Sequence, residues 1–432
     1  MKNRILFITM ILWGVSLFSQ NYLDVIRPFR GMRGISGSES GVIPASMGAS
    51  NALMGNPALL SFNEKAFFAA DMSYDQVAGR SVFNSMIGEN PQEQNLRLNS
   101  LTYIKPIQVY RGAWVWGVNL QRVNAFSSIS QFNDFDYESN PDTVFAYKHL
   151  FHESGDMYAL TAGTSVMVTM NTSIGYAISY FRGKNSFNKL YEELDPYDFY
   201  TFDRFIDSLQ FNPSYSGFGA RLGLLSEVSE NLNFGVSIEL PSRISVDESA
   251  SRDSIQWYDD GDSEIYSHDK WSGLEYTAWG PWRIGLGLGF VANPFEASIN
   301  YRYHSYSSVS MKGDLYDTET GESLENVVDD QVSSFVQDVH EFSASLLWAL
   351  DPLKLSFAAT LMNDPLNYRF DNIIRMDVGV GYQLRSGIGF TLAFRNEQWQ
   401  SDLNHTLSSN VERSVDVENS FSNIQFGLKY IL

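Results

Sequence analysis

The sequence predicts an all-β fold: a 14-stranded antiparallel transmembrane β-barrel with an N-terminal plug. Three observations predict it. Apolar and polar or small residues alternate with a period of two in segment after segment. Long and short gaps between those segments alternate along the chain. Several arginines and acidic residues within the segments share a face with glycines and other small residues.

The chain of 432 residues opens with Lys2 and Arg4, followed by an apolar run from Ile5 to Phe18 and then Ser19 and Gln20. This is the layout of an export signal, and the run is shorter than the roughly 20 apolar residues of a spanning helix. Residues 1–20 are therefore read as a signal peptide, with an uncleaved anchor as the alternative. The rest of the sequence holds no comparable run, which excludes a helical membrane protein. Cysteine is absent, so neither disulfides nor a lipidated cysteine can hold the exported chain. A net charge of −20 makes nucleic acid an unsuitable partner.

Residues 21–65 are rich in Gly, Ser, Ala and Asn and show little alternation, whereas 66–432 alternate throughout. Strands are expected near 66–74, 96–104, 112–123, 157–169, 172–182, 215–226, 231–240, 276–290, 294–304, 339–349, 353–362, 373–384, 387–395 and 421–432. In one of them Ile174, Tyr176, Ile178 and Tyr180 share a face, with Gly175, Ala177 and Ser179 on the other. Long gaps fall at 75–95, 124–156, 183–214, 241–275, 305–338, 363–372 and 396–420. Short gaps carry turn residues such as Asn171, Asn231, Asn293-Pro294, Asp351-Pro352 and Ser386-Gly387. A soluble sandwich has no reason to alternate in this way, whereas a membrane barrel has short turns at one end and long loops at the other.

The faces fix the orientation. Arg221, Arg283, Arg302, Arg375 and Arg395, with Glu239, Glu296 and Asp377, share their face with many glycines. An arginine facing lipid at mid-membrane costs about 2–4 kcal/mol, so this face is expected to line the lumen. A soluble barrel would invert the faces. At the chain end Gly427, Tyr430 and Leu432 match the Gly-x-x-aromatic-x-hydrophobic pattern of terminal strands handed to the barrel-assembly machinery of the outer membrane.

The stretch Gly48-Ala-Ser-Asn-Ala-Leu-Met-Gly-Asn-Pro-Ala-Leu-Leu-Ser-Phe62, preceded by Met47, resembles the N-terminal hatch of the FadL-type long-chain fatty acid transporter family. The matching positions are Met47, Gly48, Ala49, Asn56, Pro57, Ala58 and Leu60. The stretches beginning at Tyr110, Glu239 and Pro281 are similar to later parts of the same family. The resemblance implies a monomeric 14-stranded barrel of the bacterial outer membrane, plugged by residues 21–65, that passively takes up small hydrophobic ligands such as lipids and long-chain fatty acids. It implies that ligand lands on an extracellular loop, enters a lumen pocket, and leaves sideways through the wall after the hatch shifts. Some FadL-like barrels instead act as protein-binding components of a secretion system (PorV-like), and that alternative stays open. In 183–214, Leu190, Leu194, Phe199, Phe202 and Phe205 fall near helical spacing, which suggests an amphipathic loop helix as a landing surface or as packing on the rim.

Catalytic chemistry has little support. His149-x-x-His152 lacks further ligands at a telling spacing, so no metal is expected. The acidic stretch Asp259 to Glu264 lacks the spacing of a calcium loop and reads first as a solvated loop, as does Asp329-Asp330. No Gly-x-Ser-x-Gly element and no phosphate-cradling loop occurs, so neither an enzyme nor a cofactor is expected.

Overall fold

The computed structural model describes residues 25–29, 42–44, 51–83, 86–89, 92–136, 145–198, 200–313, 323–366, 372–407 and 411–432. Residues 1–20 and the hatch positions Met47, Gly48 and Ala49 lie outside this set. Eighteen strand segments follow one another: β1 (Phe67–Phe83), β2 (Met86–Glu89), β3 (Glu93–Ile107), β4 (Trp114–Asp136), β5 (Phe145–Met167), β6 (Thr172–Leu194), β7 (Phe202–Ser229), β8 (Leu232–Glu239), β9 (Arg243–Tyr258), β10 (Ser263–Trp279), β11 (Trp282–Ala292), β12 (Phe295–Ser305), β13 (Ser310–Lys312), β14 (Val339–Leu350), β15 (Leu353–Asn363), β16 (Asn372–Gln383), β17 (Ile388–Leu407) and β18 (Val411–Ile431). Among the described residues, helix α1 (Ala52–Gly55) precedes the wall and helix α2 (Leu324–Phe335) stands between β13 and β14.

The segments resolve into 14 wall strands. β2 and β3 pair with β1 as one strand. β8 and β9 both pair with β7, and β11 and β10 continue in one register beside them, from Glu239 opposite Arg283 to Arg243 opposite Trp279. Leu240-Pro241-Ser242 and Gly280-Pro281 interrupt these two strands, because proline has no N–H to give the ladder. A 3-10 turn at Tyr306–Ser308 divides β12 from β13 in the same way. β18 pairs with β17 on one side and β1 on the other, which closes a 14-stranded antiparallel barrel with no edge at its base.

Every predicted strand is present, but most of the predicted long loops are corrected. β5, β6 and β7 run for 23, 23 and 28 residues, far beyond the 9–11 or so that cross a bilayer. Beyond the alternating stretch both faces are half-covered, so the period-2 signal fades while the backbone ladder continues. The helix suggested for 183–214 is also corrected: Leu190 and Leu194 lie on β6 and Phe202 and Phe205 on β7, joined as a hairpin through Asp195. A spacing of four residues returns to the same face in a strand as well as in a helix. The pairing of Glu193 with Phe205 puts Phe205 on the face opposite Leu190 and Leu194, so these residues form no single apolar surface. Phe199 is outside the described residues. Among the described residues no helix is long and apolar enough to cross a membrane.

Candidate functional site in the barrel interior

The wall reverses the usual order of a soluble sheet. Along β11, Ile284, Leu286, Leu288 and Phe290 are exposed while Arg283 and the glycines between them point inward. β16 repeats this with Ile374, Met376, Val378 and Val380 outward and Arg375 and Asp377 buried. β18 presents Ile424, Phe426, Leu428 and Tyr430 outward, with Asn423 and Gln425 inside. Such a band of exposed apolar side chains is far larger than a soluble monomer tolerates.

The floor of the interior is a seat for the N-terminal segment. Gly175 on β6 is bare because a Cβ there would lie 2.5 Å from the Pro57 carbonyl carbon and 2.6 Å from the Ala58 nitrogen. Ser165 and Ser173 donate to the Ala58 carbonyl, each at 3.1 Å. The Asn56 side chain caps the following 3-10 turn at Ala58 N (3.1 Å) and donates to the Leu224 carbonyl (3.1 Å). Ser237 donates to the Gly55 carbonyl at 2.8 Å. Leu53, Leu59 and Leu60 are buried in one apolar cluster with Phe67, Ile104, Val115 and Leu225 of the wall. Further back in the chain, Ile43 exchanges two hydrogen bonds with the Asn300 side chain, at 2.8 and 3.1 Å.

Above the seat, charged side chains run round the inner wall from strand to strand. Glu239 accepts from Arg221 and, at 2.7 Å, from Arg283. Arg302 pairs with Glu341 (3.1 Å), and His304 meets the other oxygen of that carboxylate (3.2 Å). Arg375 pairs with Glu397 (2.9 Å) and Arg395 with Asp377 (2.8 Å). Asp75 accepts from Asn423 and from Arg122 (2.6 Å), and Asp156 accepts from Arg97 (2.7 Å). Arg221 also donates to the Leu53 carbonyl (3.2 Å), and Arg283 to the Phe29 carbonyl (3.2 Å). The belt therefore grips two separate parts of the N-terminal segment.

Above the belt the interior turns apolar again. Val25, Ile26 and Phe29 join Phe126, Phe181, Tyr215, Tyr276, Tyr306 and Met311 in one buried cluster, closed by Val328 and Val332 of α2. Phe126 and Tyr215 stack at 5.4 Å. The Phe29 ring lies against Gly280, where a Cβ would come within 2.6 Å of it, beside the interruption in the β8–β9 and β10–β11 strands. The Tyr306 hydroxyl donates to the Phe29 carbonyl at 2.6 Å. On the tall part of the wall Lys189 sits over the Phe151 ring at 5.6 Å. Burial pulls the Lys189 ammonium below its ordinary pKa, with Asp207 opposing.

The structure gathers Arg221, Glu239, Arg283, Arg302, Arg375, Asp377 and Arg395 into the belt, and Glu296 lies inward on β12 below Arg302. Glu341, Glu397, Asp75, Arg122 and Asp156 belong to the same belt, and sequence reasoning missed them. Glu341 carries the same signal, a charge on the small-residue face, but Asp75, Asp156 and Glu397 fall in the predicted gaps, and Arg122 stands in step with Trp114, Trp116 and Leu120 up to a bulge. Asn56, Pro57 and Ala58 form the seat, and Gly427 faces inward while Tyr430 and Leu432 are exposed at the rim. The His149 ring lies tilted against Tyr191 (5.0 Å), and His152 meets Glu93 (3.5 Å), so the two do not share a site. Asp259 to Asp262 form the β9–β10 turn, where Gly261 adopts φ +88°.

No protein-family model and no curated protein matches the sequence. Solved structures do. A FadL homologue of Pseudomonas aeruginosa superposes with a TM-score of 0.62 at 11% identity, over 92% of this chain and 96% of that one. The toluene transporter TodX of P. putida gives 0.58 at 12%, over 93% and 98%. The toluene transporter TbuX of Ralstonia pickettii gives 0.55 at 11%, over 92% and 99%. At such identities the likeness is one of fold, and it spans nearly the whole of each chain: the protein is a closed 14-stranded barrel with the fold of these structures.

Proposed function

We propose that the protein is an integral β-barrel of a bacterial outer membrane that passively conducts small hydrophobic molecules, and that it is not an enzyme. The observation that carries this reading is the layering of the interior. An apolar chamber wall, a charged belt and a seated N-terminal segment lie in series inside a wall whose outer face suits lipid. In this reading the seated segment is a hatch, and a hydrophobic solute passes when it shifts. The fatty acids transported by the family that the sequence resembles, and the toluene carried by TodX and TbuX, mark the range of candidate substrates.

The barrel would enter the membrane through the assembly machinery that reads Gly427, Tyr430 and Leu432, and would work as a monomer. Uptake of an apolar solute into liposomes carrying the purified protein tests the reading. Faster uptake than in empty liposomes supports it, and equal uptake sinks it.

The height of the wall favours a second reading, a protein-docking barrel of a secretion system. β10 rises beyond the apolar band with both faces exposed over most of 263–275. A docking barrel would show loss of partner binding, with no loss of solute uptake, when the β9–β10 hairpin is shortened.

A further inference from the structure

We propose that the passage selects uncharged hydrophobic molecules and turns away carboxylates, because the cations of its inner belt are already held by the wall's own acids and by the hatch. The inference rests on the channel reading and names its substrate class.

A fatty acid anion needs a cation to receive it. Burying a carboxylate without one costs several kcal/mol, whereas an uncharged chain of the same length loses nothing on entry. The candidates for that cation are the arginines between the upper apolar cluster and the seat. Arg302 faces Glu341 at 3.1 Å, Arg375 faces Glu397 at 2.9 Å and Arg395 faces Asp377 at 2.8 Å. Arg122 lies between Asp75 and Asp156, at 2.6 and 3.4 Å. The Arg302, Arg375 and Arg395 pairs join neighbouring strands, so register fixes them, while Arg122 reaches Asp156 on the next strand and Asp75 across β3.

One place in the belt has more cation than anion. Arg221 and Arg283 share Glu239. One further N–H group of each goes to a carbonyl of the hatch, from Arg221 to Leu53 and from Arg283 to Phe29. An incoming carboxylate would have to displace those carbonyls or break a wall pair. An ester, an alkane or an arene has no such requirement, and the cluster above the belt, with Phe126, Phe181, Tyr215, Tyr276 and Tyr306, offers it apolar and aromatic surface. Among the described residues, then, the belt is a charge-compensated ring and not an anion receptor.

The test compares palmitic acid with its methyl ester, two probes of the same chain that differ by one charge at about pH 8. Binding to the full-length protein in a non-ionic detergent is measured for wild type and for Glu341→Gln, which leaves Arg302 without its carboxylate. Comparing the acid-to-ester ratio in the same micelles cancels partition into detergent. Wild type should bind the ester at least about tenfold more tightly than the acid. Glu341→Gln should raise acid binding about tenfold and leave the ester unchanged. Should that variant fail to fold, Glu397→Gln makes the same comparison at Arg375. Acid binding to wild type as tight as ester binding overturns the inference and leaves the channel reading standing. Binding of neither probe overturns the channel reading, and the inference with it.

Discussion

Replacing Gly175 by leucine should unseat the N-terminal segment without opening the barrel. The β6 backbone at this point is fixed by pairing with Ser165 on one side and Gly223 on the other. The new Cβ would stand 2.5 Å from a main-chain carbon of Pro57, a distance that real Cβ contacts do not show, so the 56–58 turn is the part that must move. Moving it breaks the bonds from Ser165 and Ser173 to Ala58, from Asn56 to Leu224 and from Ser237 to Gly55. At about 1 kcal/mol each, with some re-pairing of the freed hydroxyls, the loss is about 3 kcal/mol. That corresponds to a rise of about 100-fold in the unseated fraction. Hydrogen exchange over 51–63 should quicken accordingly, and uptake of an uncharged apolar solute into liposomes should rise. Gly381→Ala is the control, because its Cβ meets Lys354, Thr391 and the Phe390 carbonyl at ordinary contact distances. Unchanged exchange in Gly175→Leu, with the barrel intact, would refute the seating argument.

Other consequences follow from the same geometry. The folded protein should migrate faster than the boiled protein on a detergent gel, as closed barrels resist unfolding; identical migration would count against closure. Leu288→Arg, at the outward centre of β11, should destabilise the barrel in lipid by about 2–4 kcal/mol, measured by urea unfolding from vesicles. An equal cost in detergent-free buffer would argue for a soluble barrel. Val328→Asp puts a charge into the buried face of α2 and should loosen that cap, seen as faster proteolysis at 323–336 with the wall unaffected.

The strands were legible where lipid and lumen impose opposite chemistry on alternate residues. β8 and β16 alternate without a break, and both were located to within two residues at each end. The same residues were silent about length. From Ser186 to Leu194 the side chains of β6 are half-buried on both faces, so nothing in the pattern separates a tall strand from a loop. Arginines were legible as lumen residues because each cost too much outward. Their compensation was not: Glu341 meets Arg302, and Glu397 meets Arg375, only through registers that no local pattern fixes. The Asn56-Pro57-Ala58 turn stood out as a motif. The contacts of Phe29 with Arg283 and Tyr306 did not, because they join residues more than 250 positions apart.

The claim that the N-terminal segment gates a hydrophobic passage is tested most directly by a reversible lock. The chain has no cysteine, so a pair introduced as Ala58→Cys and Ser173→Cys, where the two residues already touch, can bond only to each other within a molecule. Uptake of palmitic acid methyl ester into liposomes is measured with the pair oxidised and then reduced, the cross-link being followed by mass. The account predicts background uptake when oxidised and recovery to the wild-type rate when reduced. Equal uptake in both states, with the cross-link formed, would contradict it.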